Sequence, residues 1–185
     1  AYPDVVVDIV VDDALSDIVS GRFDAGIRVG RQVEKDMVAN RLTPDLNMVD
    51  VASPHYVARR GSPRSPTELQ DHACINWRLQ SDGRQYRWEF KKRGRHLEVA
   101  VDGPVVTNHA DVGIAAALAG LGIAYHFPQD PVAEVVAQGL LVRVLADWSV
   151  SRPGLFLYYP NRRHRPALLG AFIDCLLDQG VFGNR

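Results

Sequence analysis

Cysteine is nearly absent from this chain. Only Cys74 and Cys175 occur in 185 residues, too few for a disulfide framework and without the close spacing of a metal site. They are expected to be reduced, largely buried thiols of a cytoplasmic protein. No apolar run reaches the roughly 18 residues that a membrane-spanning helix needs. The N-terminal Ala1-Tyr2-Pro3-Asp4 has neither a basic start nor an apolar signal segment. A surplus of positive charge is also missing, since 21 Lys and Arg face 22 Asp and Glu, for a net charge of −1. A domain that grips nucleic acid by itself carries a basic excess, so any contact with DNA is expected to come from elsewhere. Enzyme signatures are lacking too. There is no Gly-x-Ser-x-Gly elbow, Walker loop, His-Glu-x-x-His or Cys-x-x-Cys. The six histidines stand singly, and Gly26-x-x-x-Gly30 is not a dinucleotide fingerprint. No catalytic residue, metal site or cofactor is assigned.

What the chain does contain is alternating α and β signal. Residues 5–11 are β-branched apart from Asp8 and read as a strand. Asp12 and Asp13 can cap a helix carrying Leu15, Ile18 and Val19 and ended by Gly21. A second strand over 24–29 completes a β-α-β unit, which implies a parallel sheet. Residues 37–52 read as strand, turn at Thr43-Pro44-Asp45, and strand. Ser53-Pro54 opens a loop or short helix, and Thr67 to His72 forms another short helix. Arg87–Phe90 and Leu97–Val101 flank Lys91-Lys92-Arg93-Gly94, a hairpin with a charged tip. Val105–Thr107 leads to an alanine-rich helix over about 110–119, apolar all round and therefore well buried, with Thr107 or Asn108 as its cap. Strands follow over 123–127, 140–145 and 155–159. A helix over 131–138 and a final one opening at Arg165-Pro166 complete the pattern. The elements fall into two groups, one before about residue 50 and one after about residue 75, which favours two lobes over one continuous sheet.

The order of several short segments resembles the effector-binding domain of LysR-type transcriptional regulators. The resemblance begins with Tyr2-Pro3-Asp4-Val5, Asp17-Ile18-Val19 and Gly21-Arg22-Phe23-Asp24-Ala25-Gly26-Ile27-Arg28-Val29-Gly30. It continues through Ala52-Ser53-Pro54-His55-Tyr56-Val57, Trp88-Glu89-Phe90 and Ala119-Gly120-Leu121-Gly122-Ile123-Ala124. It ends with Tyr159-Pro160 and Ala171-Phe172-Ile173-Asp174. Each fragment alone is weak; the ordered set is specific, and the Trp-x-Phe and Tyr-Pro details look most like the CrgA-like subgroup. The resemblance implies an α/β fold of two Rossmann-like lobes of the type 2 periplasmic-binding-protein kind, joined by two crossover strands. Lobe one would comprise residues 1–50 plus 152–185, and lobe two residues 51–151. Relative to the family, the N-terminal winged helix-turn-helix and the first strand of the effector domain are missing. Lobe one is therefore expected to look incomplete, with strands 5–11 and 24–29 exposed.

In folds of this kind, ligands sit at strand C-terminal ends and helix N-termini, where backbone N–H groups can hold an anion. The candidates are Gly30 and Arg31, Ser53, Pro54 and His55, Thr107, Asn108, His109 and Ala110, and His126 and Phe127; the resemblance implies that they line the interlobe cleft. Helix capping is an equally plain role for Asn108, as is a structural one for His126. Arg28 reads either as half of an ion pair or as the anchor of an acidic ligand. The two basic clusters, Lys91-Lys92-Arg93 and Arg162-Arg163-His164-Arg165, read as solvated loops. The resemblance implies a small-molecule effector, anions being candidates, and a homodimer that becomes a tetramer in the full-length regulator. DNA would be bound only through the winged helix-turn-helix, and no membrane is involved. Two rival classes share the scaffold, namely a solute-binding protein for transport and an enzyme with catalytic groups assembled only in three dimensions.

Overall fold

The short apolar runs become short strands, and glycine and proline punctuate them. A computed structural model describes residues 5–11, 18, 21–30, 36–79, 82–126, 132–161 and 166–178. In chain order the first elements are β1 (Gly26–Val29), β2 (Met37–Arg41), β3 (Leu46–Asn47), β4 (Val49–Ala52) and helix α1 (Pro54–Arg60). A 3-10 turn at Pro66–Asp71 precedes β5 (Cys74–Trp77), β6 (Trp88–Lys92), β7 (Arg95–Val99) and β8 (Val105–Thr107). Then come α2 (Ala110–Leu118), β9 (Ile123–His126), α3 (Val132–Ala137), β10 (Val142–Val144), β11 (Ser151–Arg152), β12 (Leu155–Pro160) and α4 (Ala167–Asp178). The chain divides into two units, Ala1–Leu46 with Arg152–Arg185, and Asn47–Ser151. It passes from one to the other in β3 and returns in β11, and these two strands pair with each other.

The smaller unit is built around β12. Its sequence Leu-Phe-Leu-Tyr-Tyr-Pro carries no polar alternation because both of its faces are covered. Phe156 and Tyr158 point to one side, with Ile18, Met37 and Ala39. Leu157 and Tyr159 point to the other, where Ile173, Leu169 and Phe172 of α4 pack. β1 and β2 flank β12, both antiparallel to it. This corrects the expectation of a parallel β-α-β unit. Residues 5–11 form no strand, and Val6, Ile9 and Val11 are 93%, 76% and 88% exposed. β-branched residues favour extended backbone, but a strand persists only where a neighbour takes up its N–H and C=O groups. Among the described residues no strand pairs with this segment. The helix expected over 12–20 lies outside the described residues except for Ile18, which is buried.

The larger unit holds a five-stranded mixed sheet in the order β10-β4-β9-β5-β8. β5 runs parallel to both β8 and β9, whereas β4 is antiparallel to β9 and β10. Alternation sorts the side chains into two cores. Val49, Val51, Ile75 and Ala124 face α2 and α3, meeting Ile114, Ala117 and Val132. Ala52, Cys74, Ile123 and Val144 face α1 and the β6–β7 hairpin, meeting Tyr56, Leu69, Trp88 and Phe90. β5 itself carried little sequence signal, since Cys-Ile-Asn-Trp is short and interrupted by an amide. Its position is secured by close backbone approach: a Cβ on Gly103 would lie 1.9 Å from the Cys74 carbonyl oxygen, so only glycine fits there.

Asn76 of β5 is 2% exposed and fully bonded. Its Nδ2 donates to Gln85 Oε1 (2.9 Å) and to the Val101 carbonyl (3.2 Å). Its Oδ1 accepts from the Trp77 amide (2.8 Å) and from the indole Nε1 of Trp88 (3.1 Å). Removing one partner of a buried hydrogen bond leaves the other desolvated and unsatisfied. Asn76→Ala is therefore expected to lower the unfolding free energy in urea by about 2–4 kcal/mol, with the buried indole of Trp88 among the groups orphaned. A loss below about 0.5 kcal/mol would show that the network carries no weight.

Candidate functional site

The polarity of the larger sheet decides which candidate residues meet. β5, β8 and β9 are parallel, so their C-terminal ends at Trp77, Thr107 and His126 lie along one edge. Val49, at the start of the antiparallel β4, pairs with His126 there. Thr107 pairs with Trp77, and its carbonyl accepts from the Arg78 amide at 2.9 Å. Thr107, Asn108, His109, Ala110 and His126 thus share an edge with Trp77 and Arg78. Arg78 was not among the sequence candidates. A lone exposed arginine in a loop carries no periodic signal, and only the placement of β5 beside β8 brings it here.

The start of α2 differs from the cap expected at Thr107 or Asn108. The N-cap is His109, with extended backbone and no side-chain cap hydrogen bond. The Thr107 hydroxyl is used two residues on, where it accepts from the His109 amide at 3.0 Å. A hydroxyl engaged in this local turn cannot also reach the first helical turn. The first amides of α2 are therefore left without a side-chain acceptor. Asp111 stands in that turn, 3.9 Å from His109 Nδ1, with both side chains exposed. Its carboxylate suits the helix dipole but opposes a second anion at the same place. Arg78, whose amide meets Thr107 at this edge, carries a permanent positive charge, and its guanidinium donates to the Gly83 carbonyl at 3.2 Å.

Ser53, Pro54 and His55 follow the C-terminal end of β4, at the opposite edge of the sheet. Ser53 is 4% exposed and caps α1, its Oγ accepting from the Tyr56 amide at 3.2 Å. Pro54 occupies the first turn of that helix, and exposed His55 lies beside Gly120, past the end of α2. The nine residues of α2, about 13 Å at 1.5 Å per residue, therefore separate this group from Thr107 to Ala110. Gly30 belongs to the smaller unit, after β1. Its amide donates to the Gly154 carbonyl at 2.9 Å, and its carbonyl accepts from the Tyr158 hydroxyl. Arg28 is half-buried within β1. Arg31, Phe127 and the cluster at 162–165 lie outside the described residues.

Neither cysteine is in a disulfide. Cys175 is exposed on α4, contrary to the expectation of two largely buried thiols, because it follows buried Ile173 by two positions and so turns off the helix face that packs on β12. Cys74 is fully buried, and burial, with Asp50 and Asp102 adding to it, pushes its thiol up to about 12. A thiol so held is not a nucleophile at neutral pH. Among the described residues no cluster of His, Cys, Asp or Glu could hold a metal ion, and no helix is long and apolar enough to cross a membrane.

Asp50, on β4 next to Val49, is 4% exposed, and its Oδ1 is buried without a hydrogen-bond partner. Burial raises its carboxyl well above the usual carboxylate range; Arg143 on the neighbouring β10 works against this. The folded chain therefore holds the proton more tightly than the unfolded one. The resulting stability is full below the ordinary value of 3.8 and is lost as pH rises through the raised value. Asp50→Asn removes this titration. The variant is expected to gain stability relative to the parent as pH rises above about 4, in urea unfolding across a pH series. A difference between the two that is flat with pH would refute it.

A family model described as the LysR substrate binding domain matches residues 1–180. A putative transcriptional regulator of Pseudomonas aeruginosa is 44% identical over 175 residues, covering 95% of this chain and 57% of that protein. The HTH-type transcriptional regulator PgrR of Escherichia coli K12 is 40% identical over 181 residues, covering 98% of this chain and 60% of PgrR. The solved regulatory domain of CrgA from Neisseria meningitidis superposes with a TM-score of 0.72 at 21% identity, covering 87% of this chain and 77% of that one; the likeness is one of fold. The chain spans less than two thirds of the length of these two regulators.

Proposed function

Because the chain belongs to the LysR substrate-binding-domain family, we propose that it is the effector-sensing part of a LysR-type transcriptional regulator. The observation that carries this reading is the family match over residues 1–180. The relatives bear the names of transcriptional regulators, not of enzymes or transport proteins, which favours this reading over both rivals. A small molecule would bind at the edge formed by Trp77, Arg78, Thr107, Asn108, His109, Ala110 and His126. Free amides at the start of α2 and the Arg78 guanidinium suit a polar or anionic group there, and Asp111 selects against a second negative charge. Ser53 caps α1 and Pro54 stands in its first turn, at the edge opposite to this group.

Binding alone regulates nothing. The molecule has to favour one arrangement of the regulator over another by its differential affinity. In a whole regulator of this kind the readout would pass to DNA through a helix-turn-helix that lies outside this chain, as the name of the PgrR relative suggests. A homodimer, and a tetramer at full length, is part of the proposal, as is a cytoplasmic location, where the DNA is. A thermal-shift screen of small aromatic and aliphatic acids tests the reading. A ligand at about a hundred times its Kd adds roughly 2.7 kcal/mol, a rise of about 5–10 °C for a chain of this size. Arg78→Ala is expected to remove most of that rise and leave the unliganded melting temperature within about 1 °C, as for an exposed substitution. No shift with any acid, or an undiminished shift in the variant, would count against this site.

A further inference from the structure

The β6–β7 hairpin stands apart from the five-stranded sheet and ends in a two-residue turn at Arg93-Gly94. Both turn residues have positive φ, 49° and 80°, as a tight hairpin turn of this twist requires. Asparagine or aspartate commonly occupies the first of these positions; here it is arginine, which adopts the left-handed conformation at a cost. The rung next to the turn places Lys92 opposite Arg95, two formal positive charges; Lys91 stands opposite His96, which is neutral in the formal count. Like charges directly across a strand pair are destabilising. The tip is thus assembled against its own stability, and each adverse choice adds positive charge.

Compensation distinguishes this tip from the acidic rung below it. Glu89 faces Glu98, but Tyr86 donates to Glu89 at 2.9 Å and Arg87 lies 3.8 Å from Glu98. At the tip, among the described residues, only Lys92 forms an ion pair, with Asp147 at 3.0 Å. Lys91, Arg93, Arg95 and His96 are exposed. The six residues 91–96 carry four formal positive charges in a chain of net charge −1, so the remainder stands at −5. The aromatic side chains of β6, Trp88 and Phe90, are fully buried at the root. The tip therefore offers no stacking platform for unpaired bases and no apolar anchor for a protein interface.

We propose that the hairpin tip is a phosphate-backbone contact for duplex DNA, made by Lys91, Arg93 and Arg95. A projecting finger of cations with no apolar contact area matches a polyanion whose charges are regularly spaced and freely exposed. The proposal rests on the reading above only in that it needs DNA within reach of the chain. Its contribution is independent of sequence, and it supplements a separate DNA-binding element.

The test uses the 185-residue chain and a fluorescein-labelled random 20-base-pair duplex, read by anisotropy from about 25 to 200 mM KCl. The parent is expected to bind at low salt and to weaken with a log–log slope of about −2 to −3, near −0.9 per phosphate neutralised. The triple variant Lys91→Thr, Arg93→Asn, Arg95→Thr should bind at least about tenfold more weakly, with the slope flattened towards zero. Its melting temperature should be unchanged or raised by about 2–4 °C, because the substitutions relieve the adverse turn and rung. A control with the same loss of charge, Arg60→Ser, Arg64→Ser, Arg84→Ser, should bind DNA within about twofold of the parent. The proposal is overturned if the parent does not bind at low salt, if the hairpin variant binds as well as the parent, or if the control loses as much. Binding to heparin but not to duplex DNA also overturns it, in favour of another acidic partner. Stabilisation by effector acids is read separately and should be the same in the hairpin variant, so failure here leaves the effector reading untouched.

Discussion

The larger unit depends on one buried carboxamide. Asn76 sits between β9 and β8 on a strand of only four residues, too short to be held by its own propensity. Its amide makes four hydrogen bonds, to β5's own Trp77, to Gln85, to Val101 and to Trp88 at the root of the hairpin. A satisfied polar group in a low-dielectric interior is directional where apolar packing is not. It accordingly sets the register of the hairpin against the sheet, and the aromatic stack of Trp88, Tyr125 and Tyr86 follows from that placement, with ring centroids 5.2 and 6.0 Å apart. The same strand presents Trp77 and Arg78 at the edge where Thr107 ends β8. The candidate ligand edge and the basic finger thus share one support.

Asp50 is the counterexample within the same sheet. It is as buried as Asn76, yet one carboxyl oxygen has no partner. An ionised carboxylate in such a place is expensive, and burial accordingly raises the carboxyl well above its ordinary range. The contrast shows why an amide, whose bonding capacity does not change with pH, occupies the structural position. A titrating group with an unsatisfied oxygen weakens the unit as pH rises.

The chemistry on the surface follows sheet polarity more than residue type. Ser53 and Thr107 are both small hydroxyl residues placed just before a helix, and their sequence contexts look alike. Ser53 caps α1 and is buried; Thr107 bonds within its own turn and leaves the start of α2 open. Which of them can meet a ligand is decided by the direction of the strand each follows. β4 runs opposite to β8, so the two hydroxyls end at opposite edges.

Much of the fold was legible before any coordinates. The Gly and Pro punctuation, the β-branched and aromatic runs and the alanine-rich helix mark β1, β9, β12 and α2 within a residue or two, because these signals are local. The order of short motifs, read as a resemblance, pointed to the family and the two-part α/β plan. The charge balance, taken with the missing motifs, argued against a self-sufficient DNA-binding domain. Tertiary structure decided what local signals do not encode. It left the apolar stretch 5–11 without a strand partner among the described residues, and made the smaller sheet antiparallel around β12. It placed β5, whose four residues carry almost no periodic pattern, between β9 and β8 in the larger sheet. It also divided the candidate residues between two edges and brought Arg78 to one of them. Hydrogen bonds between distant strands, and the direction in which each strand runs, depend on pairings across many residues; no window of sequence contains both partners.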